Sequence, residues 1–563
     1  MCKKILKILF ITVTLLYQLN AQSKTLEQSE YNRRYLSNYF SALLSYNKQE
    51  NIEALKYFES SKPLIKKHEK YLKKYIFSLV GSGKVSKAIK QIKHFKSHKN
   101  SNFFEAKILL LIDSLEKENY KNSEKEISLM EFFQNEGNYE IIIYETLKNY
   151  IELFQNKKIN YKNNNKYGRL SQITNAFQNC YLDTDKTKPL FINLVNANEG
   201  DYSRYLFFYL QKILEDNDYQ TAKQISSRID PITNGLLIVQ TKNWIESSDF
   251  NKFKDLFSCK NEKHLLSEFF FLIANLYSAE EDYIKSNFYL NISNHLNPKF
   301  YFNLSLQVEN YFITGNYNAS KNILESFKYN DTIYNWFKIK RTGKIIAKQQ
   351  NENKSLNFIE NKFKKIKTPS TKILFEMANI YKRHKKYEKA IDLYTATLEL
   401  LDENTDSYAE TLYRRGGSYE RIKKYSESDK DLLNSLKIVP GDPYVTNYLA
   451  YSWLERNYKI EEALVMLEDA YNQKKNDPYI IDSIGWAYFL IKDYEQAAKY
   501  LIQAVEIMPN DPIVNDHYGD ILWMLNKKIQ ARYFWKNVLT LDETEEEMKK
   551  NVKKKLLNGI NKI

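Results

Sequence analysis

Apolar, small and polar positions in the last third of the chain recur every 34 residues. The run Pro478-Tyr479-Ile480-Ile481-Asp482-Ser483-Ile484-Gly485-Trp486-Ala487-Tyr488 returns 34 positions later as Pro512-Ile513-Val514-Asn515-Asp516-His517-Tyr518-Gly519-Asp520-Ile521-Leu522. Five units align, at 371–408, 409–442, 443–477, 478–511 and 512–545. A small residue holds the eighth position of each (Ala378, Gly416, Ala450, Gly485, Gly519), and a large one follows three later (Tyr381, Tyr419, Trp453, Tyr488, Leu522). A second helix begins near Tyr387, Tyr425 and Tyr494, with Ala390, Ala463, Ala497 and Ala531 inside the second helices. This pattern predicts antiparallel helix pairs, because two helix axes come close only where side chains are small and a neighbouring ring fills the space beside them. Asp442-Pro443, Asp477-Pro478 and Asp511-Pro512 each put a capping carboxylate before a proline at the first helical position, where the missing N–H costs nothing. Extra residues at Tyr458–Ile460 and at Asn404–Tyr408 are expected in turns.

Weaker copies extend upstream. Ser267–Phe300 carries Phe270, Ala274, Tyr277, Tyr283, Leu290 and Pro298 in register, and Tyr301–Tyr334 follows with Tyr311, Tyr317 and Leu324. Near the start Ala42, Ala54 and Phe58 fit one unit, and Ala88 falls 34 residues after Ala54. Residues 100–260 read as amphipathic helices without a register, and the polar stretch Asn156–Gly168 is expected to loop out. The tail after Glu545 reads as one basic amphipathic helix suited to cap the array. The expected fold is therefore all-α, a solenoid of antiparallel helix pairs. Its parts are divergent helical repeats over 22–260, degenerate ones over 267–370, five regular repeats over 371–545 and a capping helix over 546–563.

Composition agrees. With 14 glycines and 10 prolines in 563 residues, short strands joined by tight turns are disfavoured, and 43% hydrophobic residues suffice for burial. The N-terminus reads as an export signal over 1–21: Lys3 and Lys4, an apolar stretch from Ile5 to Leu19 broken only by Lys7, then Leu19-Asn20-Ala21. The apolar part from Ile8 to Leu19 is shorter than the roughly 20 residues that span a bilayer, so cleavage after Ala21 is expected, with an uncleaved N-terminal anchor as the alternative. Cys2 precedes this stretch and cannot be the acylated cysteine of a lipoprotein, which follows it. The expected location is outside the cytoplasm. Cys180 and Cys259 remain after cleavage; in a solenoid they would lie about two repeats apart, so they are expected to be unbridged. The net charge of +15 is uneven: residues 371–545 carry 23 Lys and Arg against 29 Asp and Glu, so the rest is strongly basic. Export argues against a nucleic-acid partner, while the basic remainder is compatible with peripheral membrane association.

Motifs for chemistry fail on inspection. Gly81-Ser82-Gly83-Lys84 lacks the earlier glycine and the following Ser/Thr of a phosphate loop, since Ser78 and Val85 stand there; a helix–helix turn is expected. His94 and His98 are spaced for a metal but have no glutamate after His94 and no third ligand. No nucleophile elbow and no dinucleotide or other cofactor fingerprint is found. The chain is read as a non-enzyme; convergent acidic and basic side chains in a closed pocket within 100–260 would overturn that.

The 34-residue period with its small residues resembles the tetratricopeptide repeat, which implies a right-handed superhelix whose concave face binds protein partners. That face is lined by positions 2, 5, 6, 9, 12 and 13 of each first helix. Mapped here, these give Tyr444, Asn447, Tyr448 and Tyr451; Tyr479, Asp482, Trp486 and Phe489; and Asp516, His517, Asp520 and Trp523. Rings with carboxylates between them suit a peptide with apolar and basic side chains. The competing reading is that Trp486 and Asp482 pack and hydrogen-bond within the repeat array. The lysine and asparagine pairs that clamp a peptide carboxylate in chaperone cofactors are absent from these positions. The runs Asn476-Asp477-Pro478 through Trp486, Asn510-Asp511-Pro512 and Asn515-Asp516-His517-Tyr518-Gly519-Asp520, within residues 440–545, resemble exported Gram-negative proteins of this family. Among these are lipoprotein adaptors that deliver substrates to a carboxyl-terminal processing protease. The resemblance implies an adaptor in the periplasm or cell envelope of a Gram-negative bacterium, whose partner is such a protease or its substrates. An assembly factor for envelope polysaccharide or lipid is the alternative.

Overall fold

The computed structural model describes residues 32–133, 137, 139–160, 166–196, 204–253, 256–328 and 331–560; the export signal and part of the Asn156–Gly168 loop lie outside them. The described residues form twenty-nine α-helices and no strand. They divide into two compact units, residues 1–229 with 234–363, and residues 230–233 with 364–563. The first unit therefore runs through the 260–267 division that the repeat register suggested.

The first unit opens with α1 (Arg33–Asn47), α2 (Asn51–Ser60), α3 (Tyr71–Gly81), α4 (Val85–His94), α5 (Phe104–Glu116) and α6 (Tyr120–Met130). Next come α7 (Glu140–Asn156), α8 (Arg169–Leu182), α9 (Thr187–Val195), α10 (Arg204–Glu215), α11 (Tyr219–Ser227) and α12 (Leu236–Glu246). It finishes with α13 (Glu262–Ala279), α14 (Tyr283–Leu296), α15 (Leu304–Ile313), α16 (Tyr317–Leu324), α17 (Thr332–Gln349) and α18 (Glu352–Phe363). The Gly81–Lys84 motif is a helix–helix turn, with Gly83 at φ +75° between α3 and α4.

Early and late helices of this unit meet. Asn287 donates to Gln49 Oε1 at 2.7 Å, Asn316 donates to the Gln49 carbonyl at 3.1 Å, and Phe77 stacks on Phe288 at 4.5 Å. One buried apolar cluster consequently extends from Tyr39 to Ile345. Inside it Arg204 makes a two-pronged ion pair with Glu268 (2.8 and 2.7 Å) and lies 4.0 Å over the Phe271 ring.

The expectation for the cysteines is corrected: Cys180 on α8 and Cys259 just before α13 form a disulfide, with Cα atoms 5.6 Å apart. Two-repeat spacing separates residues only in an open array. Here the segment before α13 folds back onto α8, with Phe257 5.7 Å from Phe177 and 4.6 Å from Phe208.

The second unit contains α19 (Thr371–Arg383) with α20 (Tyr387–Leu398), α21 (Asp406–Arg421) with α22 (Tyr425–Ile438), and α23 (Pro443–Glu455) with α24 (Ile460–Gln473). It continues with α25 (Pro478–Leu490) and α26 (Tyr494–Ile507), then α27 (Pro512–Met524) and α28 (Lys528–Thr540), and closes with α29 (Glu546–Asn558). The helix pairs follow the 34-residue units. A Cβ added at Gly485 would stand 2.7 Å from Leu501, and one at Gly519 2.5 Å from Trp535, so the small eighth residue sets how closely the pair can approach. Asn457 and Lys459, at φ 49° and 48°, absorb one insertion in a turn. The other differs from expectation. Asp406–Tyr408 lengthen α21 by almost a turn, because Thr405 caps it through the Tyr408 amide at 3.3 Å.

Candidate partner-binding face

The first helices of successive repeats, α19, α21, α23, α25 and α27, touch one another and line the inner face of the second unit. Three of them start on Asp-Pro. Asp442, Asp477 and Asp511 each accept two backbone N–H bonds, at 2.8–3.2 Å, from the second and third helical residues. Fixed starts and close packing put the residues predicted for the groove on this face, in three different environments.

Tyr444 and Tyr479 are half-exposed at 50% and 59%. Tyr448 donates to Glu420 at 3.2 Å and meets the Tyr413 ring edge-on. Asn447 Oδ1 and Trp486 Nε1 are buried with no hydrogen-bond partner among the described residues. Tyr451 sits beside Glu455 and Asp482, and burial followed by those charges holds its phenol well above the ordinary range.

Around His517 the side chains close on one another. Its Nδ1 lies 2.9 Å from Asp482, its ring stacks on Trp486 at 4.1 Å, and Trp486 stacks on Phe489 at 4.7 Å. Burial alone would lower this imidazole's pKa, but the Asp482 carboxylate holds it above the usual value. Asp482 and Trp486 thus engage the next repeat, as the competing reading had it.

Asp516 and Asp520, one turn apart on α27, meet Lys555 of α29: its Nζ lies 2.8 Å from both Asp516 oxygens and 2.8 and 2.7 Å from those of Asp520. Trp535 also donates to Asp520 at 2.9 Å. Burial, then the charge of Asp516, pushes the Asp520 carboxyl up to about 6 against the pull of Lys555. Trp523 lies 5.3 Å from Trp535 and is overlaid by Gly559. The basic groups that the carboxylates of the fifth repeat were expected to attract are therefore met, at this end, by the chain's own last helix.

The groove residues predicted from sequence came from the third to fifth repeats only. At the other end Lys382, Arg414 and Arg421 of α19 and α21 lie close together. Arg414 pairs with Glu410 at 2.6 Å and Lys382 lies 5.9 Å over the Tyr413 ring. Burial, with Arg414 and Arg421 beside it, pushes the Lys382 ammonium down to about 8. The signal for these residues was available, since Lys382 and Arg421 stand at positions 12 and 13 of their units. The signal for Lys555 was the carboxylate pair itself: two aspartates four apart on a buried helix face call for a cation.

In the first unit an open cavity of about 600 Å³ gathers Glu116, Lys260, Glu262 and Lys263. Glu262 already accepts from the Tyr120 and Tyr181 hydroxyls at 2.9 and 2.7 Å, and Glu116 lies 3.4 Å from His295. Among the described residues no three His, Cys, Asp or Glu side chains are grouped to hold a metal, and no helix is long and apolar enough to cross a membrane.

Residues 480–511 match the tetratricopeptide repeat family. A TPR repeat-containing protein of Pseudomonas aeruginosa is 27% identical over 154 residues, which is 24% of this chain and 26% of that protein. Anaphase-promoting complex subunit 3 of Schizosaccharomyces pombe is 23% identical over 111 residues, 20% of this chain and 15% of that one. The chain thus spans about a quarter of one relative's length and less of the other's. Similar solved structures include a tetratricopeptide repeat protein of Parabacteroides merdae, 17% identical with a TM-score of 0.38 over 45% of this chain and 97% of that one. Another is MamA of Desulfovibrio magneticus, 18% identical with a TM-score of 0.27 over 31% of this chain and 97% of that one.

Proposed function

We infer that this chain, a tetratricopeptide-repeat protein, is a non-catalytic scaffold or adaptor that binds protein partners through the inner face of its C-terminal repeats. The observation that carries this reading is the row of contacting first helices. Together they form one surface with cations at the α19–α21 end, tyrosines in the middle and, at the α27 end, carboxylates that Lys555 of α29 occupies. Rings offer area at low entropic cost and opposite charges fix the direction of a bound peptide. Location in a Gram-negative envelope rests on the N-terminal export pattern, and the Cys180–Cys259 bridge supports an oxidising compartment. A carboxyl-terminal processing protease, or its substrates, as partner rests on the resemblance of residues 440–545 alone.

The test is a crosslinked affinity pull-down from envelope extracts with the wild-type chain and with a Lys382→Ala/Tyr444→Ala/Tyr479→Ala variant shown by circular dichroism to be folded. A protein recovered by the wild type and lost by the variant supports the face and names the partner. Equal recovery moves the site elsewhere, and recovery without any protease or protease substrate removes that partner.

A further inference from the structure

The end of the inner face poses a physical problem that the chain solves with its own tail. Asp516 and Asp520 are nearly buried, with side chains 12% and 6% exposed, and sit one turn apart. Two such carboxylates repel each other and cannot both stay charged in a dry site without a cation. Lys555 is that cation, and it reaches them from a weakly anchored helix. Of its 13 residues α29 buries only Val552, whereas α27 buries nine. Leu557 of α29 is 80% exposed. The ion pair at its start, Lys385 with Glu545, is exposed on both sides (68% and 67%) and so contributes little. A helix held by so few buried contacts belongs to the low-stability end of a structure and opens locally before the rest unfolds.

We propose that the Asp516–Asp520 pair is a lysine-reading subsite of the inner face, occupied in cis by α29. The partner that takes its place is an amphipathic helix presenting a lysine beside an apolar residue, as α29 presents Lys555 beside Val552. This rests on the inner-face reading above and specifies the chemistry of one end of it. Charge complementarity selects the occupant: a neutral or acidic helix would leave two buried carboxylates unpaired. Trp523 supplies the adjoining apolar ground, and it is covered by Gly559 in the resting state. At φ +72° that residue turns the chain over the indole so closely that a Cβ would stand 2.0 Å from the ring. The lysine subsite and the ring are therefore uncovered together when the tail leaves.

The test uses the full chain and a synthetic fluorescent peptide of residues 546–560 as the probe. Gly559→Ala cannot keep the turn over Trp523, so it dislodges α29 without touching the carboxylates. Hydrogen exchange should show faster exchange in α29 with α27 unchanged, and fluorescence anisotropy should show the peptide binding at least tenfold more tightly than to the wild type. Adding Asp516→Asn/Asp520→Asn to that variant, or replacing the peptide's lysine in a Lys555→Met version, should abolish the gain. The proposal is overturned if the freed chain binds the peptide no better than wild type, or binds it equally after the asparagine substitutions. It is equally overturned if α29 exchanges as slowly as α27 in both Gly559→Ala and Val552→Ser/Lys555→Met, since the helix is then an integral cap. Each of these failures leaves the pull-down result on the whole face untouched.

Discussion

The two units are built from the same material, pairs of antiparallel helices, and bury it differently. In the first unit one apolar cluster joins residues as distant as Tyr39 and Ile345, and it is tied by a disulfide and a buried Arg204–Glu268 pair. In the second the core is broken into short clusters. One spans Leu432 to Ala487, another Phe489 to Ile521 and a third Leu522 to Val552, each shared by neighbouring repeats. A core of the first kind makes every element depend on distant ones. A core of the second kind is nearly one-dimensional, so each repeat depends on its neighbours alone and the face along the array can carry different chemistry at each end.

The sharpest way to break this contrast is Arg204→Leu. It leaves Glu268, 1% exposed, buried without its partner, which costs about 3–5 kcal/mol. Calorimetry should show the transition of the first unit moving down while that of the second stays. Cys180→Ser/Cys259→Ser opens a loop of 79-residue separation and should lower the first unit by about 2–4 kcal/mol. Equal shifts in both transitions would show that the units do not unfold separately. In the second unit Gly485→Val forces a side chain onto Leu501 at 2.7 Å and should cost about 1–3 kcal/mol. Amide exchange should quicken in α25 and α26 and their neighbours and leave α19 and α20 as they were.

The smallest effect is one of pH, and it has opposite signs in the two units. In the first, His264 accepts from the Ser258 amide at 2.9 Å beside the disulfide, and burial brings its pKa down to about 4. Its neutral form is the folded one, so its contribution is present above about 6.5 and is lost as pH falls toward 4. In the second, His517 is raised by Asp482, so its contribution is complete below about 6.5 and is lost as pH rises through the folded value. Histidine resonances followed by NMR should titrate below 5 for His264 and above 6.5 for His517. Titration of both near 6.5 would remove the contrast.

The regular repeats were legible because their determinants are local. Gly485, Ala497 and Asp477-Pro478 specify close packing and a helix start within one unit, and the same signals return 34 residues later. The positions expected to meet a partner followed from the same register; of these Tyr444 and Tyr479 are exposed, whereas Trp486 stacks on His517 of the next repeat.

What the register could not carry is any pairing between residues with no fixed spacing. Closure of the first unit depends on Gln49 meeting Asn287 and Asn316, contacts more than 230 residues apart in sequence that no period announces. The Cys180–Cys259 bridge, made where the segment before α13 folds back onto α8, was misjudged from spacing for the same reason. The fifth repeat shows the division within one site. The sequence placed Asp516 and Asp520 on one helical face, because i and i+4 positions always share one. Only the tertiary structure decided that their cation would be Lys555 of the same chain, because a helix following the last repeat can fold onto the face which, in every earlier repeat, the next first helix adjoins.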